Sequence, residues 1–192
     1  TWTATDECGN KATALQTITV RDTTPPSLTA PTDLTLECPA VTTTNATGVA
    51  TAQDDCGFVT VSFSDSVTNG PGGTKVISRM WTATDGCGNV TNCMQTITVN
   101  DTLPPSLVCP PNRTLECPAD TSTNATGVAT STDGCGSVLV SYSDSVSNGC
   151  GATTVILRTW SAMDESGNTT NCVQMITVHD TTRPSLVCPP NL

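Results

Sequence analysis

A repeat period of 79 residues constrains the fold of this chain more than any other feature of its sequence. Tryptophans occur at Trp2, Trp81 and Trp160, so the step is the same both times (81 − 2 and 160 − 81). The tripeptide Ile-Thr-Val recurs with the same step, at 18–20, 97–99 and 176–178. Self-similarity without insertion or deletion predicts a tandem array of small structural units.

The period divides the chain into two whole units and two partial ones. The whole units are 23–101 and 102–180. Residues 1–22 supply the last strands of an earlier unit, and residues 181–192 begin a further one. We therefore expect two small domains rather than one large domain.

The composition points to small secreted domains. Aromatic residues make up 3% of the chain, and cores with so few large side chains are usually stabilised by disulfides. The chain contains 11 cysteines without the paired CxxC spacing of a zinc site, which indicates an oxidising, extracellular environment. The net charge of −10 argues against nucleic acid or anionic lipid as a partner. No apolar run approaches the roughly 18 residues of a membrane span, so membrane insertion is not expected.

Alternation of apolar and polar residues predicts an all-β fold. Val59, Val61 and Phe63 alternate with Ser or Thr, as in a half-buried antiparallel strand. No stretch keeps the 3.6-residue apolar period of a helix. We expect immunoglobulin-like β-sandwiches whose strands run up and down, repeated every 79 residues. The predicted strands of the first whole unit are 27–37, 48–53, 58–64, 74–84 and 91–99.

Two of the seven basic residues are predicted to be structural. Arg79 lies on the same strand face as Trp81, and Arg158 repeats this position in the second unit. Each is expected to stack on an aromatic ring or to pair with a carboxylate. The candidate carboxylates are Asp65 and Asp144, in the repeated Ser-Asp-Ser-Val.

Three sequence blocks recur in the same order along the chain. They are Trp-Thr-Ala-Thr-Asp-Gly-Cys-Gly-Asn at 81–89, Cys-Met-Gln-Thr-Ile-Thr-Val-Asn-Asp at 93–101 and Pro-Pro-Ser-Leu-Val-Cys-Pro at 104–110. In this order they resemble the hyalin repeat (HYR-like domain). The resemblance implies immunoglobulin-like modules, found in tandem in secreted and surface proteins, with a structural or adhesive role and no enzymatic activity. It also implies a disulfide between Cys109 and Cys172, which mark the first and last strands of the second unit.

The strand order predicts two further disulfides inside the units. One pair of cysteines falls in loops at the N-terminal end of the first unit, and another pair falls at the opposite end of the second. We therefore expect the bonds Cys56–Cys87 and Cys117–Cys150. The sequence leaves a second arrangement open across unit boundaries, because positions 14 and 30 are both alanine. In that arrangement the bonds are Cys93–Cys109 and Cys172–Cys188.

Three cysteines have no partner when each unit is considered alone. They are Cys38, Cys93 and Cys135. An unpaired thiol in a secreted module is a candidate for bridging to another chain. The alternative is a free thiol buried as a small apolar side chain.

Aspartates gather at the predicted unit boundaries, where they suggest a calcium site. Calcium takes about six to eight oxygen ligands, which converging loop carboxylates can supply. The candidate ligands are Asp22, Asp54, Asp55, Asp85, Asp101, Asp133 and Asp164. The alternative is that each aspartate caps a turn. No cofactor is required, and catalysis is not expected, because the single histidine, His179, has no repeated nucleophile or base beside it.

Six asparagines begin the Asn-x-Ser/Thr pattern of glycan acceptors. They are Asn45, Asn89, Asn100, Asn112, Asn124 and Asn168. Asn45 and Asn124 lie in the duplicated Asn-Ala-Thr-Gly-Val-Ala-Thr, before a strand, and are predicted to be exposed. Glycans are expected first at these two positions, in a source that secretes through a glycosylating pathway.

The linkers predict a rigid extracellular rod. Asp22-Thr23-Thr24-Pro25-Pro26 contains consecutive prolines, which favour a stiff, extended chain. We expect such rods to form a fibre or a surface stalk. The expected partners are other copies of the chain, because residues 1–34 align with 159–192 and an incomplete unit exposes strand edges that another copy can complete.

Two alternatives remain open at this point. The chain is equally consistent with an excerpt from a longer covalent array. The alternative function is an adhesion module that binds a glycan or a protein, which requires binding loops that differ between units. Here the loops mostly match, as in Ser-Phe-Ser-Asp-Ser-Val at 62–67 and Ser-Tyr-Ser-Asp-Ser-Val at 141–146.

Overall fold

A computed structural model describes residues 1–151 and 153–188, and the fold is all-β, as predicted. The chain begins with a hairpin of β1 (Trp2–Thr5) and β2 (Lys11–Ala14). The first unit contains β3 (Ser27–Thr29), β4 (Leu34–Glu37), α1 (Thr44–Thr47), β5 (Thr51–Gln53), β6 (Val59–Asn69), a 3₁₀ turn (Pro71–Gly73), β7 (Lys75–Asp85) and β8 (Val90–Asn100). The second unit contains β9 (Ser106–Val108), β10 (Arg113–Glu116), α2 (Thr123–Thr126), β11 (Thr130–Thr132), β12 (Val138–Asn148), β13 (Thr154–Asp164) and β14 (Thr169–His179).

Each unit is a sandwich of a four-stranded and a two-stranded sheet. In the first unit the large sheet has the order β4-β8-β7-β6 and the small sheet pairs β3 with β5. The long strands β6, β7 and β8 pair antiparallel and are rich in Val, Ile and Thr, which favour pleated structure. Because β3 contacts β7 and β8, and β5 contacts β6, the small sheet lies against one face of the large one. The second unit repeats this order as β10-β14-β13-β12 and β9-β11.

The predicted strand 27–37 is in fact two strands that lie in different sheets. β3 pairs antiparallel with β5, whereas β4 pairs parallel with β8. The chain crosses between the sheets at residues 30–33, where Pro31 has no N–H to donate to a ladder. The up-and-down order was therefore wrong for β4, because alternation along one strand does not identify its neighbour.

The inward face of β7 forms the centre of the first core. Ile77, Trp81 and Ala83 are buried, and Trp81 is only 2% exposed. Ile97 and Val99 of β8 pack beside them. The second unit buries the equivalent residues around Trp160, which is also 2% exposed. Since each unit buries a single tryptophan, the removal of any large core side chain is expected to be costly.

A buried arginine completes each core, as the sequence predicted. Arg79 is 2% exposed, and its guanidinium donates to both carboxylate oxygens of Asp65 at 2.7 and 2.8 Å. It also donates to the Thr47 hydroxyl and to the carbonyl oxygen of Thr42, which ties α1 to the large sheet. The guanidinium carbon lies 4.7 Å from the centre of the Phe63 ring. Arg158 and Asp144 repeat the ion pair in the second unit.

Candidate functional site

The site that distinguishes this chain from two separate sandwiches is the junction between its units. Cys38, just after β4, forms a disulfide with Cys135, in the loop before β12, across 97 residues of sequence. Their Cα atoms are 5.9 Å apart. The expectation that Cys38 and Cys135 have no partners was therefore wrong. Each lies at the end of its own unit, and the two ends meet only when the units stand in tandem.

A carboxylate strengthens the same junction. Glu165, in the turn after β13, accepts a hydrogen bond from the backbone N–H of Gly72 at 2.8 Å. It also accepts from the hydroxyl and the N–H of Ser137 within its own unit. Hydrogen bonds from Ser137 and from Gly72 hold the pKa of Glu165 below its ordinary value. Glu165 is therefore an anionic bridge between the two units at neutral pH.

The units approach too closely at Gly72 for any side chain. Gly72 has φ of 57°, in the region that favours glycine. A Cβ atom there would lie 2.5 Å from the carbonyl oxygen of Cys135. The sequence did not single out Gly72, and it placed Glu165 only among the acidic loop residues at the unit boundary. The only signal at this position was its variability, because the three copies have Glu7, Gly86 and Glu165.

The backbone linker is fastened to both units. Glu37 accepts from the N–H and the hydroxyl of Thr102, at 2.7 and 2.9 Å. These bonds lower the pKa of Glu37. On the other side, the side-chain amide of Asn168 donates to the carbonyl oxygen of Asp101 at 3.2 Å. The linker thus has a defined path from one sandwich to the next.

Two of the predicted aspartate pairs come together at the unit ends. Asp101 approaches Asp133, and Asp22 approaches Asp54, in each case with a cysteine sulfur and with all three candidate ligand atoms within 4.8 Å of one another. Asp101 is 9% exposed, and its Oδ2 has no hydrogen-bond partner. The sulfur beside Asp101 belongs to the Cys38–Cys135 disulfide, so only the two carboxylates remain as donors for a hard cation.

The other predicted ligands are placed differently. Oδ1 of Asp85 accepts from the N–H groups of Cys87 and Asn89 at 2.8 Å, and its Oδ2 accepts from the Asn89 amide. These bonds, led by that from the Asn89 side chain, lower the pKa of Asp85. Asp164 makes the equivalent three bonds in the second unit. Both carboxylates cap turns, whereas Asp55 lines an open cleft with Asp22 and Asp54.

The disulfide inside the second unit joins Cys109 and Cys172, the pair that the resemblance implied. The first unit has Ala30 at the position of Cys109, which leaves Cys93 as a free thiol. Because Cys109 and Cys172 bond to each other, the arrangement across unit boundaries does not occur.

The predicted bonds Cys56–Cys87 and Cys117–Cys150 are also not formed, and all four residues are free thiols. Cys56 is the repeat equivalent of Cys135, and Cys117 is the equivalent of Cys38. The structure gives a physical reason for the error. The equivalents Cys38 and Cys135 bond across a unit boundary, so the strand order within one unit does not identify the partners of cysteines in these positions.

The candidate glycan acceptors divide into two groups. Asn45 and Asn124 are exposed on α1 and α2, and Asn100 and Asn112 are exposed as well. In contrast, the side-chain nitrogens of Asn89 and Asn168 donate to the carboxylates of Asp85 and Asp164 inside the turns. A glycan on either of these two nitrogens would disrupt the turn.

Comparisons with known proteins add a likeness in architecture. No family model and no curated protein matches the chain, so the resemblance to hyalin repeats stays a prediction. Among solved structures, the chain is similar to Drosophila N-cadherin EC1-4, at 14% identity and a TM-score of 0.39, over 83% of this chain and 50% of that one. It is also similar to protocadherin gamma B7 cadherin domains 1-4, at 15% identity and a TM-score of 0.35, over 81% and 51% of the two chains. The chain thus spans about half the length of these structures. Within residues 1–151 and 153–188, the structure has no helix long and apolar enough to cross a membrane.

Proposed function

We propose that the chain belongs to an extracellular structural protein, in which the units 23–101 and 102–180 are successive links of a stiff rod within a fibre or surface stalk. The observation that supports this proposal is the disulfide between Cys38 and Cys135 across the junction. A spacer needs a fixed angle between its domains, and a binding module on a free linker does not.

Three connections restrain the junction together. They are the backbone linker, the Cys38–Cys135 disulfide and the hydrogen bond from Gly72 to Glu165. A single linker allows two domains to rotate, whereas attachment at several separate points opposes both bending and twisting. Strands of 11 residues and the linker give an advance of roughly 35–45 Å for each unit.

The covalent chemistry supports an extracellular location. Disulfides persist in oxidising environments and are rare where cellular thiols are kept reduced. The described part of the chain has one disulfide within a unit and one between units. The exposed acceptors Asn45 and Asn124 are the positions at which we propose glycans. The proposal assigns no catalytic role, and His179 lies exposed at the end of β14.

We also propose that calcium binds between Asp101 and Asp133. The unpartnered Oδ2 of Asp101 is buried beside the second carboxylate, which is an unfavourable arrangement of charge without a cation. Two carboxylates are fewer oxygens than calcium takes, so water would complete the shell and the affinity is expected to be low. Such an ion would add a fourth restraint to the junction.

Strand complementation is the proposed route from rods to a fibre. Among the residues that the structure describes, β1 and β2 pair with each other alone. Trp2 is 69% exposed, whereas Trp81 and Trp160 are each 2% exposed. Trp2 occupies the repeat position of these two buried tryptophans. The strands of the hairpin are suited to complete a unit of another copy that lacks them.

Adhesion is a second candidate, favoured by a difference between the outer sheet faces. In the first unit Met80 and Met94 form an exposed cross-strand pair. In the second unit the exposed apolar pair is Leu157 and Met175, one row further along the sheet. Each unit therefore presents a distinct apolar patch, which a rod with only a spacer role does not need.

Solution scattering of the oxidised chain tests the rod. The maximum dimension should be well defined, and the double variant Cys38→Ser with Cys135→Ser should give a broader distribution of dimensions. The matched control is Cys109→Ser with Cys172→Ser, which removes a disulfide inside one unit and should leave the angle between units unchanged. Equal distributions for the junction variant and the control would contradict the rod.

The same measurement tests calcium. A calcium chelator should broaden the distribution and lower the melting temperature of the wild-type chain, and Asp133→Asn should remove this response. An unchanged profile would exclude the ion.

A glycan array tests adhesion. Binding of monomeric rods to the array, and its loss in Met80→Ser with Met94→Ser, would support adhesion instead of the spacer role.

A further inference from the structure

We propose that the two ends of this pair of units are complementary dithiol faces, through which a second copy of the chain bonds end to end. Cys117 would bond to the second copy's Cys56, and Cys150 would bond to the second copy's Cys87. This inference rests on the proposed rod and gives a route from rod to fibre other than strand complementation. In this route β13 and β14 already fill the place that the second copy's hairpin β1–β2 would take. All four residues are free thiols in the structure.

The junction inside the chain is the template for the first bond. Cys117 lies one period after Cys38, and Cys56 lies one period before Cys135 (117 − 38 and 135 − 56 both equal 79). The backbone N–H of Cys38 donates to the carbonyl oxygen of Asn100 at 2.8 Å, and Cys117 repeats this bond to His179 at 2.8 Å. Cys117 is thus presented at the end of the second unit as Cys38 is at the end of the first. A second copy seated on that end in the same way brings its Cys56 to Cys117.

The bond between Cys150 and Cys87 is indicated by a difference in sequence, because the inner junction has no cysteine at either equivalent position. One period from Cys150 and Cys87, the inner junction has Pro71 and Ser166. A Cβ atom on Gly72, next to Pro71, would lie 3.5 Å from the Ser166 hydroxyl, so these two segments are in contact across the junction. The Ser166 hydroxyl is buried without a hydrogen-bond partner. At the outer junction both positions are cysteine, and the contact becomes one between two thiols.

The junction inside the chain and the proposed junction between two copies differ in one of their restraints. Gly86 stands one period before Glu165, so an end-to-end contact lacks the carboxylate bridge to the glycine N–H. The close approach is kept, because Gly151, with φ of 64°, repeats Gly72. The second disulfide would thus stand where the inner junction has an ionic hydrogen bond.

Two adjustments are needed for the second copy to seat. At the inner junction, a Cβ atom on Gly134 would lie 3.3 Å from the ring of Pro39. The second copy has Asp55 at the repeat position of Gly134. The end-to-end junction must therefore open by a few tenths of an ångström to admit this side chain. The second copy's Thr23 must replace Thr181 on Glu116, as Thr102 sits on Glu37. Residues 1–21 and 183–188 are exposed along their length, so both segments can move aside.

The bonds form by thiol–disulfide exchange with a small-molecule disulfide such as oxidised glutathione. A protein thiolate attacks one sulfur and releases one glutathione thiol, and the facing protein thiol then displaces the second glutathione from the mixed disulfide. Each junction converts four protein thiols into two disulfides. Two molecules of oxidised glutathione accept the four electrons and four protons and leave as four molecules of glutathione.

Peptide mapping of the oxidised chain tests the pairing. The starting variant carries Cys8→Ser, Cys93→Ala and Cys188→Ser, which leaves the four end thiols and the two existing disulfides. Equal amounts of ¹⁴N- and ¹⁵N-labelled chains are mixed and oxidised with glutathione disulfide. We expect mixed-isotope peptides that link Cys117 to Cys56 and Cys150 to Cys87, and a ladder of multimers that reductant abolishes.

Other outcomes overturn the proposal. Peptides of a single isotope that link Cys56 to Cys87 and Cys117 to Cys150 would show that each end closes on itself. A monomeric product would show that the ends do not meet. In either case the scattering comparison of the monomer still tests the rod, so the two proposals fail separately. Cys56→Ser with Cys117→Ser in the starting variant should remove the link between positions 117 and 56 and leave the link between 150 and 87.

The second bond has its own test inside one chain. Pro71→Cys with Ser166→Cys recreates the outer pair at the inner junction, where assembly is not required. After oxidation the variant should lose both new thiols and yield a peptide that links positions 71 and 166. If the folded variant keeps both thiols, the bond between Cys150 and Cys87 is wrong. The single variants, each with one added thiol, control for reaction with other cysteines.

Discussion

Arg79 and Arg158 each make four hydrogen bonds to the same kinds of partner, and the tryptophans beside them are buried to the same extent. Yet the second unit has an internal disulfide, and the first has Ala30 where that bond would begin. The two units thus share a noncovalent core and differ in their covalent closure. The comparison shows that the core is sufficient to define the sandwich, and that cysteines add stability or connection at its ends.

The largest expected effect comes from the shared core. Arg79→Ala leaves Asp65, the Thr47 hydroxyl and a backbone carbonyl without their donor, and should destabilise the first unit by about 3–5 kcal/mol. Arg158→Ala should cost the second unit a similar amount. Hydrogen exchange of β7 and β13 amides would report each unit separately. A much smaller loss in one unit would show that the two cores are not equivalent.

A smaller change in stability should follow when the first unit is given the internal disulfide that only the second unit has. Ala30→Cys places a thiol opposite Cys93, as Cys109 stands opposite Cys172. The resulting disulfide should stabilise the first unit by about 2–4 kcal/mol, measured by urea unfolding under oxidising conditions. The matched experiment in the second unit is Cys109→Ser with Cys172→Ser, which removes the equivalent disulfide. If thiol titration still finds Cys93 free after oxidation, the first unit does not have the geometry of the second.

The smallest effect is a response to acid that both units should share. Hydrogen bonds from Arg79 and Arg158 hold the pKa values of Asp65 and Asp144 below their ordinary value. Since these pKa values are depressed by folding, the stability they provide is complete above the ordinary value of about 3.9. It is lost as the pH falls through the lower folded values. Urea midpoints measured from pH 6 to pH 3 should decline in both units.

Matched variants would separate this response from other acidic groups. Asp65→Asn should flatten the pH dependence of the first unit, and Asp144→Asn should flatten that of the second. If the decline is unchanged in both variants, the two ion pairs do not contribute to it.

The sequence was sufficient to predict what repeats within a unit. The strands around Trp81 and the position of Arg79 follow from alternation and from a period without gaps, because burial on one sheet face is a local property. Asp65 was predicted as the partner of Arg79 since both recur one period later. The split between β3 and β4 was missed, because a short strand that changes sheets keeps its alternation.

The junction could not be derived in the same way. A bond between Cys38 and Cys135 depends on how two units stand relative to each other, and no pattern within one unit contains that information. The useful signal was at positions where equivalent residues differ between the repeats. Positions 71 and 166 lack the cysteine that positions 150 and 87 have, and both lie at the boundary between the two whole units.

The Cys38–Cys135 disulfide also determines how the chain carries tension. If the backbone is pulled at residues 1 and 188, the force passes directly from Cys38 to Cys135 through two sulfur atoms. Residues 39–108, which include β5 to β8, lie outside the covalent path that bears the load. Fully extended, these 70 residues (108 − 39 + 1) would span roughly 240 Å. The unit without an internal disulfide is therefore the one whose main sheet is largely shielded from mechanical extension.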